Sequence, residues 1–173
     1  MSEIQGARIH IDGVVQGVGF RPFVHGLAKS LELVGWVRNT SAGVDIVVDG
    51  TEQGLSEFLN ALEQEAPSLA RIDEIHSETI DVNGFKSFEI VHSEEIEGAF
   101  QPISPDVCVC VDCLRELNDP QDRRYRYPFI NCTNCGPRFT IITSIPYDRP
   151  HTTMSSFDMC EDCAAEYNDP EDR

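Results

Sequence analysis

The sequence predicts an α+β sandwich of about 92 residues followed by a small cysteine-rich module. Short runs of alternating apolar and polar residues, typical of half-buried strands, are interleaved with two stretches of helical periodicity. All seven cysteines lie in the second half of the 173-residue chain, between Cys108 and Cys163. The change in composition between the two halves predicts two structural units.

The first strand and the first helix follow from apolar spacing. Apolar and polar residues alternate over 7–11, which predicts a strand with one buried face. Pro22 suits the first position of a helix. Apolar residues then recur at four-residue spacing, at Phe23, Leu27 and Leu31. Flanked by Val24 and Ala28, they predict an apolar helical stripe.

The remaining elements of this half complete a known order. They are a hairpin over 35–48, an amphipathic helix over 55–62 that ends before Pro67, and strands over 72–80 and 88–91. The order β-α-β-β-α-β with an extra short strand is the ferredoxin-like pattern. The first domain is therefore predicted to span 1–92.

A stretch rich in glutamate and proline over 93–105 is predicted to be a linker, and residues 106–173 hold the cysteines. A repeat with a period of 50 residues runs through this last part, where residues 110–123 resemble 160–173. We expect a first module at 106–145 to be complete. The second, from about residue 156, is expected to be truncated at the end of the chain.

Four cysteines have the spacing of a zinc ribbon or knuckle: Cys110-x2-Cys113 and Cys132-x2-Cys135, with eighteen residues between the pairs. A four-thiolate site has no open coordination position, so a structural zinc is predicted. Paired disulfides are the less favoured alternative, because the cysteine count is odd and the first residues lack a signal-peptide pattern.

Three further cysteines stand outside this tetrad. Cys160 and Cys163 are predicted to begin a second metal site, whose partners would lie beyond the end of this sequence. Cys108 is predicted to be a spare thiol, since the residue that the repeat places opposite it is Asp158.

A glycine-containing loop over 13–21 joins the first strand to the first helix. Gly17 and Gly19 permit backbone conformations that direct several N–H groups at one anion near a helix N-terminus. Arg21 adds a planar charged fork suited to phosphate. A purely structural glycine turn is the alternative that the spacing leaves open.

The loop 13–21 (Gly-Val-Val-Gln-Gly-Val-Gly-Phe-Arg), followed by 35–39 (Gly-Trp-Val-Arg-Asn), resembles the acylphosphatase signature within the same element order. The resemblance implies that Arg21 and the loop amides bind a phosphoryl group and that Asn39 orients the attacking water. It implies the phosphate-binding set Gln16, Gly17, Val18, Gly19, Phe20 and Arg21. Arg21 and Asn39 are its implied catalytic residues.

An acylphosphatase-like domain joined to tandem cysteine modules, with the phrases at 15–24, 131–140 and 146–154, is similar to the HypF carbamoyltransferase family. Its members mature nickel–iron hydrogenases. They convert carbamoyl phosphate and ATP to a carbamoyl adenylate, then pass the carbamoyl group to the C-terminal cysteine of a maturation protein, where it becomes a cyanide ligand. The resemblance implies that this chain is the N-terminal part of such a protein and binds, and hydrolyses, carbamoyl phosphate or another acyl phosphate.

The net charge of −17 is spread over both halves and repels nucleic acid and anionic membranes. No apolar run approaches the roughly 18 residues that a membrane helix needs. We therefore expect a cytoplasmic protein with neither nucleic acid nor membrane as a partner.

Two alternatives to the enzyme remain. One is a phosphate-binding module without turnover, in which the zinc region is a scaffold or a partner-docking surface. The other is a zinc-finger regulator that binds nucleic acid through the basic and aromatic residues 123–127. The acidic charge of the module makes a solvated, ion-paired loop the favoured interpretation of that cluster.

Overall fold

The computed structural model describes residues 4–96, 107–136 and 141–172. The first range forms one five-stranded sheet that packs against two helices. In chain order the elements are β1 Ile4–Val14, α1 Phe20–Ser30, β2 Val34–Thr40, β3 Gly43–Thr51, α2 Glu52–Gln64, β4 Arg71–Ile80 and β5 Phe88–Ile90. The sheet order is β4-β1-β3-β2-β5, and all neighbours are antiparallel except β2 and β5. The predicted α+β ferredoxin-like fold is confirmed.

The central strands alternate between a core face and a solvent face, as their sequence predicts. Ile9 and Ile11 of β1 are fully buried, and Ile46 of β3 lies opposite Ile9 in the same core. His10 lies between Ile9 and Ile11 on the other face. Phe58 and Leu62 of α2 are also fully buried and close the core from the helical side.

The start of α1 differs from the prediction that Pro22 takes the first helical position. The helix begins at Phe20, because Gly19 caps it in the left-handed conformation at φ 76°. Pro22 is therefore the third helical residue, which a proline tolerates because the first-turn N–H groups have no partner within the helix.

The apolar face of α1 is centred on the two residues that flank the predicted stripe, Val24 and Ala28. Both are fully buried together with Phe20, whereas Phe23, Leu27 and Leu31 are only partly buried at the edge of the core. The burial of Phe20, next to Arg21, anchors the start of the helix.

The cysteine-rich part contains two short helices, α3 Val111–Asn118 and α4 Glu161–Asn168, with a single helical turn at Arg149–His151 between them. The 50-residue repeat is structural as well as sequential. Cys110 and Cys160 occupy the cap positions of α3 and α4 with nearly the same backbone angles, φ −71° and −66°, ψ 167° and 166°. The side chains of Asn118 and Asn168 each donate to a backbone oxygen four residues earlier, both at 2.7 Å.

The predicted linker lies mostly outside the described residues, but its second residue, Glu94, contacts β2. The backbone N–H of Glu94 donates to the backbone oxygen of Asn39 at 2.9 Å, and the Glu94 carboxylate contacts the Arg38 guanidinium at 2.5 Å. Within the described part of the chain, no helix has the length and apolar character needed to span a membrane.

Candidate functional site: an anion loop beneath a cysteine finger

The loop between β1 and α1, residues 15–19, has a backbone geometry suited to binding an anion and is called the anion loop. Gly17 and Gly19 both adopt positive φ angles, 71° and 76°, which other residues rarely adopt. Val15 and Val18 are buried and hold the loop against the core. The chain then enters α1 directly, so the loop N–H groups and the helix N-terminus lie side by side.

Arg21 and Asn39 meet beside this loop, although 17 residues of sequence separate them. Asn39 is the sixth residue of β2 and is 1% exposed. In the amide orientation that hydrogen bonding favours, its side-chain oxygen accepts from Nε and Nη2 of Arg21, both at 3.1 Å. The amide NH2 then points away from the Arg21 guanidinium.

The buried side chain of Gln16 is used for scaffolding. Its Nε2 donates to the backbone oxygens of Thr40 and Gly43, at 2.6 and 3.0 Å, and so ties the loop to the β2–β3 turn. Its Oε1 accepts from the backbone N–H of Tyr147 at 3.0 Å. Gln16 belongs to the predicted phosphate-binding set. Because its side chain is engaged in these bonds, it would contact an anion through its backbone N–H.

Asp148 binds Arg21 directly. The Oδ1 atom of Asp148 lies 2.7 Å from Nη2 of Arg21, and the two side chains are only about one-fifth exposed. Ser93 contacts the other carboxylate oxygen and lies 3.4 Å from Nη1 of Arg21. The backbone oxygen of Tyr147 accepts from Nη2 at 3.4 Å. The segment 146–148 thus lies over the loop and supplies its arginine with an internal anion.

A second part of the cysteine-rich region contacts the loop itself. A Cβ atom on Gly136 would lie 2.7 Å from the backbone oxygen of Gly17. A Cβ atom on Gly19 would lie 3.0 Å from the Thr133 side chain. The turn that carries Cys132 and Cys135 therefore packs tightly against the anion loop.

The sulfur atoms of Cys110, Cys113, Cys132 and Cys135 converge, all within 4.8 Å of one another. The separations are 3.6 Å between Cys110 and Cys132, 3.8 Å between Cys113 and Cys135, and 3.9 Å between Cys132 and Cys135. A disulfide would need about 2.0 Å. Burial raises the pKa of Cys132, so a thiolate there requires a compensating cation. The cluster therefore has the donors and the spacing of a metal site.

Cys160 and Cys163 lie apart from this cluster, at the start of α4, and Cys108 is exposed. The Nη1 atom of Arg123 lies 3.1 Å from the Cys163 sulfur. Arg123 and Arg124 also both contact the carboxylate of Glu166, which joins the two repeats. These ion pairs occupy two of the arginines on which the nucleic-acid alternative rests.

The sequence interpretation did not identify Asp148, Tyr147 or Ser93 as site residues. Residues 147 and 148 lie within the segment 146–154, which carries the family resemblance. They are far from the loop in sequence, so no local pattern indicates the contact. Ser93 is assigned to the predicted linker. The one available cue was chemical: a loop arginine in a strongly acidic chain is expected to find a carboxylate.

Comparison with known proteins matches both parts of the chain. Residues 7–90 match the acylphosphatase family model and residues 109–142 match that of the HypF finger. The acylphosphatase of Bacillus licheniformis is 44% identical over 84 residues, which cover 48% of this chain and 93% of that protein.

Longer relatives match both parts at once. Carbamoyltransferase HypF2 of Cupriavidus necator is 51% identical over 154 residues, which cover 87% of this chain and 19% of that protein. A crystal structure of full-length HypF in the phosphate- and nucleotide-bound form has a TM-score of 0.93 at 55% identity and covers 100% of this chain and 23% of that one. The chain spans about a fifth of these relatives. The resemblance predicted from the motifs is confirmed: the chain belongs to the HypF family and combines an acylphosphatase domain with a HypF finger.

Proposed function

We propose that this chain binds acyl phosphates at the loop beside Arg21 and hydrolyses them, with carbamoyl phosphate as the physiological substrate. The observation that carries the proposal is the contact between Arg21 and Asn39 at the mouth of a loop with two left-handed glycines. Loop N–H groups and the guanidinium would hold the phosphoryl oxygens. The side-chain NH2 of Asn39 would orient a water molecule on the phosphorus.

The reaction needs little more from the protein. Water attacks phosphorus, the bond between phosphorus and the acyl oxygen breaks, and a carboxylate or carbamate leaves with the bonding electrons. Because that leaving group is already stable as an anion, positioning and charge stabilisation suffice without a protein nucleophile.

We propose zinc as the metal of the four-cysteine cluster, in a structural role. Four sulfurs at about 2.3 Å from a tetrahedral zinc lie about 3.8 Å from one another. The three sulfur–sulfur separations given above, 3.6 to 3.9 Å, agree with this value. Cys110, Cys113, Cys132 and Cys135 would fill all four positions and so fix the turn that packs on the loop. The assignment of Cys160 and Cys163 to a second site remains a proposal that requires ligands from outside the described residues.

In the whole protein, we propose that this chain prepares the carbamoyl group that a HypF carbamoyltransferase uses. ATP and the acceptor maturation protein would then meet other parts of that protein, since this chain covers about a fifth of its relatives.

The test is hydrolysis of acetyl phosphate and carbamoyl phosphate by the wild-type chain and by Arg21→Ala and Asn39→Ala. We expect both variants to lose turnover. Arg8→Ala and Asn60→Ala are matched controls, because these residues are exposed and lie elsewhere on the domain. Unchanged turnover in Arg21→Ala and Asn39→Ala would refute the site assignment.

The non-catalytic alternative is favoured by one observation, the ion pair of Arg21 with Asp148, which reduces the positive charge available to a phosphoryl group. It predicts that inorganic phosphate raises the unfolding temperature while acyl phosphates persist no less than in buffer. Turnover that depends on Asn39 would exclude it.

A further inference from the structure

Two hydrogen-bond acceptors from the cysteine-rich half of the chain, the backbone oxygen of Tyr147 and the carboxylate of Asp148, lie beside Arg21. We propose that Asp148 and the backbone oxygen of Tyr147 select an acyl group that carries N–H donors, and so give the site its preference for a carbamoyl group. This inference rests on the proposed function, since it assumes that the loop N–H groups and Arg21 hold the phosphoryl group.

The position of segment 146–148 is the first step. The Tyr147 oxygen and the Asp148 carboxylate both contact Nη2 of Arg21, at 3.4 and 2.7 Å. The Tyr147 oxygen also lies 3.4 Å from the terminal atom of the Asn39 side chain that faces Arg21. A phosphoryl group held by the loop and Arg21 would therefore bring its acyl substituent within reach of this segment.

The chemistry of these acceptors is the second step. A carboxylate repels an acyl group that ends in an anion, and it gains no hydrogen bond from a methyl group. A carbamoyl NH2 has two donors, and hydrogen bonds to an ionised acceptor are among the strong ones. A site built around such acceptors discriminates against ligands that leave them unpaired.

The ion pair between Arg21 and Asp148 links the binding of the phosphoryl group to the selection of the acyl group. When a phosphoryl oxygen accepts the hydrogen bond from Nη2 of Arg21, the Oδ1 atom of Asp148 loses that partner. The Asp148 side chain is only 19% exposed, so water replaces the partner poorly. Ser93 still contacts the second oxygen, Oδ2, and holds the carboxylate in place. The released oxygen then requires a donor, which a carbamoyl group supplies and an acetyl group does not.

The comparison with a smaller relative is consistent with an added selectivity. The Bacillus licheniformis acylphosphatase is covered to 93% by an 84-residue match, whereas Tyr147 and Asp148 lie beyond residue 90, where the acylphosphatase match ends. These acceptors therefore come from the part of the chain that follows the acylphosphatase domain.

The test compares two stable analogues that differ only in the group at issue: phosphonoacetamide, which ends in NH2, and acetonylphosphonate, which ends in CH3. Their dissociation constants are measured by calorimetry on the full chain for the wild type, Asp148→Ala and Asp148→Asn. We expect the wild type to prefer phosphonoacetamide by about tenfold. In Asp148→Ala that preference should fall to near unity, although the freed Arg21 should tighten the binding of both analogues.

Asp158→Ala is the matched control, because Asp158 is an exposed carboxylate of the same region. Asp148→Asn keeps the shape of the side chain, so an intermediate preference would support the inference even if Asp148→Ala failed to fold. An unchanged preference in both Asp148 variants would overturn the inference and leave the proposed function intact. Failure of the wild type to bind either analogue or inorganic phosphate would overturn both.

Discussion

Gly136 lies so close to Gly17 that a Cβ atom on Gly136 would be 2.7 Å from the Gly17 backbone oxygen. Gly136 follows the last cysteine of the four-cysteine cluster, and Gly17 belongs to the anion loop. The conformation of Gly136 therefore limits that of Gly17.

Gly136→Ala should destabilise the chain and weaken phosphate binding. The substitution combines a positive φ of 66° with a collision against backbone. Gly84→Ala is the matched control, because Gly84 has φ 75° and its Cβ would meet open space. We expect Gly136→Ala to cost about 1–3 kcal/mol more than the control, measured by chemical denaturation, and to raise the phosphate dissociation constant. Equal losses in the two variants would contradict this coupling.

Removal of metal from the four-cysteine cluster should weaken phosphate binding at a distance. Without the metal, the turn that carries Thr133 and Gly136 loses its anchor and no longer supports Gly17 and Gly19. Calorimetry with inorganic phosphate before and after treatment with a chelator measures the effect, and added zinc should restore binding. A phosphate affinity that is the same in the chelated chain would show that the finger does not shape the loop.

Thiol reactivity should divide the cysteines into two groups. In the metal-loaded chain, we expect three of the seven cysteines to react rapidly, namely Cys108, Cys160 and Cys163. The backbone N–H of Cys163 lowers the pKa of Cys160, which increases its thiolate fraction at neutral pH. Chelation should expose the remaining four. A titration with a chromogenic thiol reagent, together with metal analysis, decides the count; two tightly bound metal ions per monomer would contradict it.

Stability should depend on pH through His10. Its Nδ1 lies 2.6 Å from Asp45 and its Nε2 lies 3.6 Å from Asp12. Partial burial lowers the pKa of His10, but the hydrogen bond and charge of Asp45 raise it more, and the charge of Asp12 adds to this, so the net pKa lies above its usual value. Folding therefore favours the protonated form. The resulting stabilisation is complete below the unfolded-state pKa of about 6.5 and is lost as the pH rises through the higher folded-state value.

The difference in unfolding free energy between the wild type and Asp45→Asn should accordingly shrink as the pH rises through that range. Glu78→Gln serves as the control, because Glu78 pairs at 2.9 Å with Arg8, which stays charged throughout. A difference for Asp45→Asn that does not change with pH would show that His10 carries no such charge.

The sequence was sufficient for the sheet and for α1 and α2, because their residues repeat with the periods of strands and helices, but it did not predict α3 and α4. It failed at the start of α1, where the left-handed conformation of Gly19, not Pro22, begins the helix. The pairing of Arg21 with Asn39 was reached only through a family signature. The contact of Arg21 with Asp148 joins residues that are far apart in sequence, and no periodicity or short motif reports a contact of that kind.

The position of segment 146–148 also bears on how such proteins diverge. With the selection that we propose for Asp148, substitutions in segment 146–148 would change which acyl phosphate is accepted while Arg21, Asn39 and the loop stay untouched. Substrate range and chemical competence would then evolve on different stretches of the chain, so that selection could change one without impairing the other.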